Sequence, residues 1–115
     1  MNVLEVAIYA LVLSGGGEPF SCEAKAEGVA CTNGLGAVLN DAGNIEYSNG
    51  VQVAKLVDGT VAFTNGVKTH WGSAGWVQFS SGLSVRRMTD GSFRFSNGMS
   101  CRAESRTKVD CRPAE

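Results

Sequence analysis

The chain contains little of the raw material for metal or covalent chemistry. Its 115 residues include one histidine and four cysteines, and the cysteines form no CxxC motif, so a zinc site is not expected. No GxSxG, P-loop or HExxH motif occurs, and acidic residues lie singly in predicted turns and on polar faces rather than in catalytic pairs. We therefore expect no enzymatic activity, no metal and no cofactor.

Long hydrophobic runs and a dominant charge are also lacking. The apolar stretch at residues 3–13 (VLEVAIYALVL) is too short to cross a bilayer, which takes about 20 residues. No Lys or Arg precedes it and no small-residue cleavage site follows it, which argues against a signal peptide. The 10 basic and 11 acidic residues nearly balance, so the net charge does not indicate nucleic acid or an anionic membrane as a partner.

The sequence does contain a sixteen-residue repeat, and the chain as a whole has 15 glycines and only two prolines, which favours many tight turns. A degraded unit at roughly 20–31 precedes five consecutive units that cover residues 32–111. The five units read TNGLGAVLNDAGNIEY, SNGVQVAKLVDGTVAF, TNGVKTHWGSAGWVQF, SSGLSVRRMTDGSFRF and SNGMSCRAESRTKVDC. The first four share a Ser/Thr-Asn/Ser-Gly signal at positions one to three and a glycine at position twelve, which indicates two tight turns in each unit.

Between the turns, apolar residues alternate with polar ones, as is typical of half-buried strands. Position sixteen, for example, is occupied by Tyr47, Phe63, Phe79, Phe95 and Cys111. Three-residue loops that end in a left-handed glycine would join the strands as hairpins and place apolar residues opposite each other. The pattern predicts an all-β, antiparallel meander of about 10 to 12 short strands. We expect it to coil into a barrel or open roll around the apolar N-terminal segment.

A two-sided β-solenoid with one unit per coil is the alternative fold, because stacked aromatic and Asn ladders suit such coils. In either fold we expect a single domain over residues 1–115. Its parts are a buried, preferably helical element at 1–13, a Gly-rich joint at 14–19, the degraded unit at 20–31 and the five units at 32–111.

The four cysteines fall on predicted hairpins. Cys101 and Cys111 occupy positions six and sixteen of one unit, which places them opposite each other on the inner face and near disulfide reach. Cys22 and Cys31 flank the hairpin of the degraded unit and pair either with each other or with the other two where the sheet closes. Four cysteines allow three connectivities. Disulfide bonds would indicate an oxidising, exported location.

The predicted register also gathers polar and aromatic side chains on the outer face of the second half of the chain. They are His70, Trp76, Gln78, Arg86, Arg94 and Arg102. Residues 1–66 carry a net charge of −5 and residues 67–115 a net charge of +4. Since tryptophan beside arginine can stack on and hold an anion, we expect a non-enzymatic binding or protein-interaction module for an anionic ligand or an acidic protein surface. The plainer interpretation is a solvated face that discourages aggregation.

Two further functions stay open. Lys55, Trp71 and Arg87 occupy position eight, which faces inward near the barrel rim. They could hold an anionic ligand there, which would make the protein a small-ligand carrier whose internal cavity competes for space with residues 3–13. Alternatively, the acidic half of one copy could bind the basic half of another, which would make a structural, self-associating repeat protein and a homo-oligomer.

Overall fold

The computed structural model describes residues 3–14, 18–57 and 60–113, and within these residues the protein is nearly all β. The Gly-rich joint predicted at 14–19 falls largely on residues 15–17, which lie outside the described residues. The elements are α1 (Val3–Leu13), β1 (Phe20–Lys25), β2 (Gly28–Cys31), β3 (Gly36–Leu39), β4 (Ile45–Tyr47), β5 (Gln52–Lys55), β6 (Val61–Phe63), β7 (Thr69–Trp71), a short 3-10 helix (Ser73–Gly75), β8 (Val77–Phe79), β9 (Ser84–Arg87), β10 (Phe93–Phe95), β11 (Met99–Ala103) and β12 (Lys108–Pro113).

The twelve described strands form one antiparallel sheet in the order β6-β5-β4-β3-β2-β1-β12-β11-β10-β9-β8-β7. Apart from β6 and β7, strands that are neighbours along the chain pair with each other, and β1 pairs with β12, so the first and last strands join the two halves of the sheet. In the described part of the chain, β6 and β7 share a single isolated bridge, from Ala62 to Lys68. The predicted meander is confirmed as a nearly closed barrel with one seam, and the antiparallel pairing excludes the solenoid.

The predicted register is confirmed as well. Ala37 lies opposite Tyr47 in one hairpin, and Val53 lies opposite Phe63 in the next. The position-sixteen side chains Tyr47, Phe63, Phe79, Phe95 and Cys111 are all buried. Because side chains of a strand alternate between its two faces, this register places one apolar face of the whole sheet toward the lumen.

The turn that follows each position-sixteen residue is tied to the preceding hairpin through its first residue. In the turn at 48–50, the Ser48 hydroxyl accepts a hydrogen bond from the Gly36 N–H at 3.0 Å, and the Ser48 N–H donates to the Gly36 carbonyl at 2.8 Å. The Asn49 carboxamide oxygen accepts from the Val51 N–H at 3.1 Å, and Gly50 has a φ of 90°, which favours glycine. Equivalent hydroxyl bonds are made by Thr32, Thr64, Ser80 and Ser96. These bonds join the hairpins at one end of the barrel. We call the opposite end, where the turns after β3, β7 and β9 lie, the mouth.

Helix α1 occupies the lumen, as predicted. Most of its side chains are buried, and it packs mainly against β12, β1, β11 and β2, so it lies closer to that wall than to the seam. The Tyr47 hydroxyl donates a 2.7 Å hydrogen bond to the Val6 carbonyl, and the rings of Tyr9 and Phe63 meet edge to face with centroids 5.5 Å apart. These contacts fix the helix in the barrel.

Two disulfide bonds flank the β1–β12 pairing. The predicted Cys101–Cys111 bond joins β11 to β12, and Cys22 bonds Cys31 across β1 and β2. In both cases the partners lie directly opposite each other, with Cα atoms 4.1 and 4.0 Å apart. Each bond therefore staples a local hairpin, and the pair is compatible with an oxidising, exported location.

Candidate functional site

The outer-face residues singled out from the sequence lie on β7 to β11. His70 Nε2 is 2.9 Å from Gln78 Oε1 across β7 and β8, and Arg86 lies directly opposite Arg94 across β9 and β10. Both arginines are exposed. Trp76 is half-buried and directly precedes β8. Because Val77 pairs with Val85, the register places Trp76 opposite Arg86, the residue that follows Val85.

The remaining member of this set, Arg102, is already engaged. Its guanidinium lies 2.7 Å from a carboxylate oxygen of Asp90. The Ser92 hydroxyl and N–H also donate to Asp90, and these bonds, followed by the Arg102 charge, hold the pKa of Asp90 below its usual range. Arg102 therefore contributes less free positive charge to this face than the sequence suggests. Among the described residues no ion pair engages Arg86 or Arg94.

A cavity of about 260 Å³ opens at the mouth, between α1 and the wall formed by β6 to β10. The space is left because α1 packs against the opposite wall of the barrel, which is formed by β11, β12, β1 and β2. Its apolar lining comes from Leu4, Ile8, Val61, Val77, Phe79, Val85 and Phe93, and its other lining residues are Glu5, Tyr9, Thr60, Thr69 and Trp71. The cavity is therefore mainly apolar, with its polar groups supplied by α1 and by the strands at the seam.

Thr69 holds the seam in this wall. Its hydroxyl oxygen accepts a hydrogen bond from the Val61 N–H at 2.8 Å and lies 3.4 Å from the Val61 carbonyl oxygen, to which it can donate. The side chain thus replaces the backbone partner that a regular ladder would supply. Position six of the other four units is apolar or cysteine, namely Ala37, Val53, Val85 and Cys101. Thr69 is the exception that satisfies the backbone where the sheet opens.

Glu5 supplies the charge that faces the cavity. Its side chain is 26% exposed, and one carboxylate oxygen accepts a 3.2 Å hydrogen bond from the Tyr9 hydroxyl and lies 3.5 Å from Lys55 Nζ. Burial, and then the charge and hydrogen bond of Glu5, raise the pKa of Tyr9, so its phenol stays protonated and donates to the carboxylate. The mouth therefore places a carboxylate, with Lys55 as a cation partner, beside an apolar space.

The three residues predicted at the mouth have different roles in the structure. Trp71 lines the cavity and is 65% exposed, Lys55 reaches over to Glu5, and Arg87 is exposed opposite Phe93 without lining the cavity. Sequence analysis did not single out Glu5, Tyr9 or Thr69. The available signals were the lone charge in the apolar N-terminal stretch and the one Thr at position six.

Within residues 3–14, 18–57 and 60–113, no cluster of three or more His, Cys, Asp or Glu residues could hold a metal ion. The same residues include no helix long and apolar enough to span a membrane. Comparisons with protein-family models, with curated proteins and with solved structures found no match to this chain.

Proposed function

We propose that the protein is a non-enzymatic binding protein that holds a small, largely apolar ligand in the cavity at the mouth. The observation that carries this proposal is the space of about 260 Å³ left between α1 and β6 to β10, with an apolar lining and a few polar groups. Small-ligand sites usually have this composition. An apolar cavity of about 150 Å³ accommodates benzene, so this one suits a ligand of about ten non-hydrogen atoms. The two disulfides support an exported location for this activity.

Aromatic side chains would supply much of the binding free energy. The rings of Phe79 and Phe93 line the cavity, and the exposed indole of Trp71 lies at its opening. A ligand that covers this indole removes apolar surface of both molecules from water, which contributes about 25 cal/mol per Å² of apolar area. Trp71 is therefore both a contact and a natural reporter of binding.

Fluorescence of Trp71 in a Trp76→Phe background tests the proposal. We expect small aromatic compounds to shift the emission in a saturable way, and Val77→Phe, which fills the cavity from β8, to weaken binding by about tenfold or more. Val57→Phe is the matched control, because Val57 is fully exposed and does not line the cavity. Absence of saturable binding, together with native mass spectrometry that shows no retained ligand, would refute the proposal.

A second candidate function is binding of an acidic protein surface by the outer face. The observation that favours it is the direct opposition of Arg86 and Arg94, since like charges facing each other across strands cost stability that a bound anion would relieve. A second copy of the chain is one such surface, because residues 1–66 carry a net charge of −5.

This second function is tested with the double variant Arg86→Gln/Arg94→Gln and an acidic peptide as the probe. We expect the wild-type protein to bind the peptide in low salt and the double variant to lose that binding. Arg106→Gln, a change in the exposed β11–β12 turn, is the matched control for loss of positive charge. Equal binding by all three proteins would identify Arg86 and Arg94 as solvated surface residues only.

A further inference from the structure

The charge inside the cavity points to the kind of ligand. Glu5 is the one carboxylate among the described residues that line it, and it lies in the first turn of α1, where the helix dipole favours a negative charge. None of the other described lining residues has a basic side chain. An anionic ligand, which the position-eight residues suggested, would meet repulsion from this carboxylate. A cationic ligand would gain a charge-assisted hydrogen bond.

One cation partner of Glu5, Lys55, is easy to replace. Lys55 approaches from β5, outside the cavity lining, with its Nζ 3.5 Å from the carboxylate and its side chain 68% exposed. An ammonium group this exposed gives up little when it leaves the pair, because water solvates it and the long side chain regains the freedom that it loses when it is held. A ligand amine can take the position of Lys55 Nζ while Lys55 returns to solvent.

The aromatic walls suit the same ligand. Tyr9, Phe79, Phe93 and Trp71 all contribute to the lining, and aromatic ring faces attract cations as well as apolar groups. The Tyr9 hydroxyl donates to Glu5 and so fixes the carboxylate that an ammonium group would meet. Resting on the proposed function above, we infer that the ligand is a small primary amine with an apolar body, bound with its ammonium group on Glu5 and its body in the cavity.

Three compounds with a similar body and different charge test this inference: 2-phenylethylamine, 2-phenylethanol and phenylacetate. Calorimetry and Trp71 fluorescence at neutral pH measure their affinities. We expect the amine to bind about tenfold more tightly than the alcohol, and phenylacetate to bind more weakly than both. If none of the three binds, the proposed function itself fails. If the amine and the alcohol bind equally well, the cavity is a ligand site but the amine inference is wrong.

Two variants locate the effect. Glu5→Gln should remove the preference for the amine, weakening binding of the amine far more than binding of the alcohol, because the amide keeps the size of the side chain and still accepts from Tyr9 but carries no charge. Lys55→Met should tighten binding of the amine by removing its competitor, whereas Lys25→Met, which breaks the exposed pair with Glu23 on β1, should change nothing. Circular dichroism verifies the fold of each variant. An amine preference that survives Glu5→Gln, or an amine affinity that Lys55→Met leaves unaltered, would overturn the inference.

Discussion

The hydroxyl of Thr69 takes the place of a backbone partner for Val61, whose N–H lies 2.8 Å from the hydroxyl oxygen. Corresponding pairs elsewhere, such as Ile45 with Val53 and Val77 with Val85, belong to regular antiparallel ladders. One side chain thus satisfies the backbone where β6 and β7 separate. Because Thr69 and Val61 both line the cavity, the same hydroxyl supports the seam and the wall of the candidate site.

Thr69→Val should therefore destabilise the protein by about 1 to 3 kcal/mol, since it leaves the buried Val61 N–H without its acceptor while preserving side-chain shape. Thr69→Ser, which keeps the hydroxyl, should retain much of that stability. Urea denaturation gives the free energies of unfolding, and hydrogen exchange of the Val61 amide reports the local change. A valine variant as stable as wild type, with a protected Val61 amide, would show that the seam can close into an ordinary ladder.

The two tyrosines in the barrel predict a loss of stability in alkaline solution. Burial is the main cause that raises the pKa of both Tyr9 and Tyr47 above the usual value of about 10. The stability that these two protonated phenols provide is therefore fully present below about pH 10. Above that pH the unfolded chain releases phenolic protons that the folded chain keeps, so the free energy of unfolding falls by about 1.4 kcal/mol per pH unit for each tyrosine.

Tyr47→Phe is the matched variant for this alkaline effect. It should remove about half of the slope, and denaturation curves between about pH 9 and pH 11 measure the difference. Equal slopes for the variant and the wild type would mean that Tyr47 ionises normally in the folded protein, which would contradict its buried position beside the Val6 carbonyl.

Each disulfide should stabilise the barrel to a similar extent. The bonded cysteines are 9 and 10 residues apart in sequence, and loop closure of that size contributes about 3 kcal/mol. Cys101→Ala/Cys111→Ala should cost at least that much, because both side chains are buried, whereas Cys22→Ala/Cys31→Ala should cost slightly less, because Cys31 is only half-buried. Urea denaturation without reductant measures both. A loss below about 1 kcal/mol for either double variant would contradict the loop-closure account.

The turn that contains Ser81 can be made more stable by a single substitution. In four turns the second residue is an asparagine whose side chain accepts from the backbone N–H two residues later: Asn33, Asn49, Asn65 and Asn97. Ser81 stands at the corresponding place, and no such bond from the Leu83 N–H is present among the described residues. Ser81→Asn should raise the free energy of unfolding by about 0.5 kcal/mol. Ser81→Ala is the control. Equal stability of the asparagine and alanine variants would assign the turn stability to the backbone alone.

Much of the fold could be predicted from the sequence because the information is local. Glycine-ended turns such as the one at Gly50 and the alternation that buries Tyr47 specify hairpins, and a hairpin register specifies which residues face each other. This reasoning correctly placed Cys101 opposite Cys111 and Arg86 opposite Arg94. It also predicted that residues 3–13 would lie inside the sheet.

The candidate site could not be predicted in the same way, because it depends on tertiary placement. No local sequence signal specifies that α1 packs against β12 and β1. The cavity is the space that this packing leaves on the other side of the helix. The position of the seam was signalled only by Thr69, a single polar exception that is equally consistent with a surface hydroxyl. Glu5 could be recognised in the sequence as a charge in an apolar stretch. Its pairing with Lys55 could not be predicted, because it depends on how α1 is placed relative to β5 in the folded barrel.

The pairing of β1 with β12 sets an order of events during synthesis. Helix α1 leaves the ribosome before any of the strands, yet the wall against which it packs is built from both the earliest strands and the last two. Hairpins can form one by one as translation proceeds, since each needs only neighbouring residues. The apolar helix can therefore complete its packing only after the final strand has been synthesised.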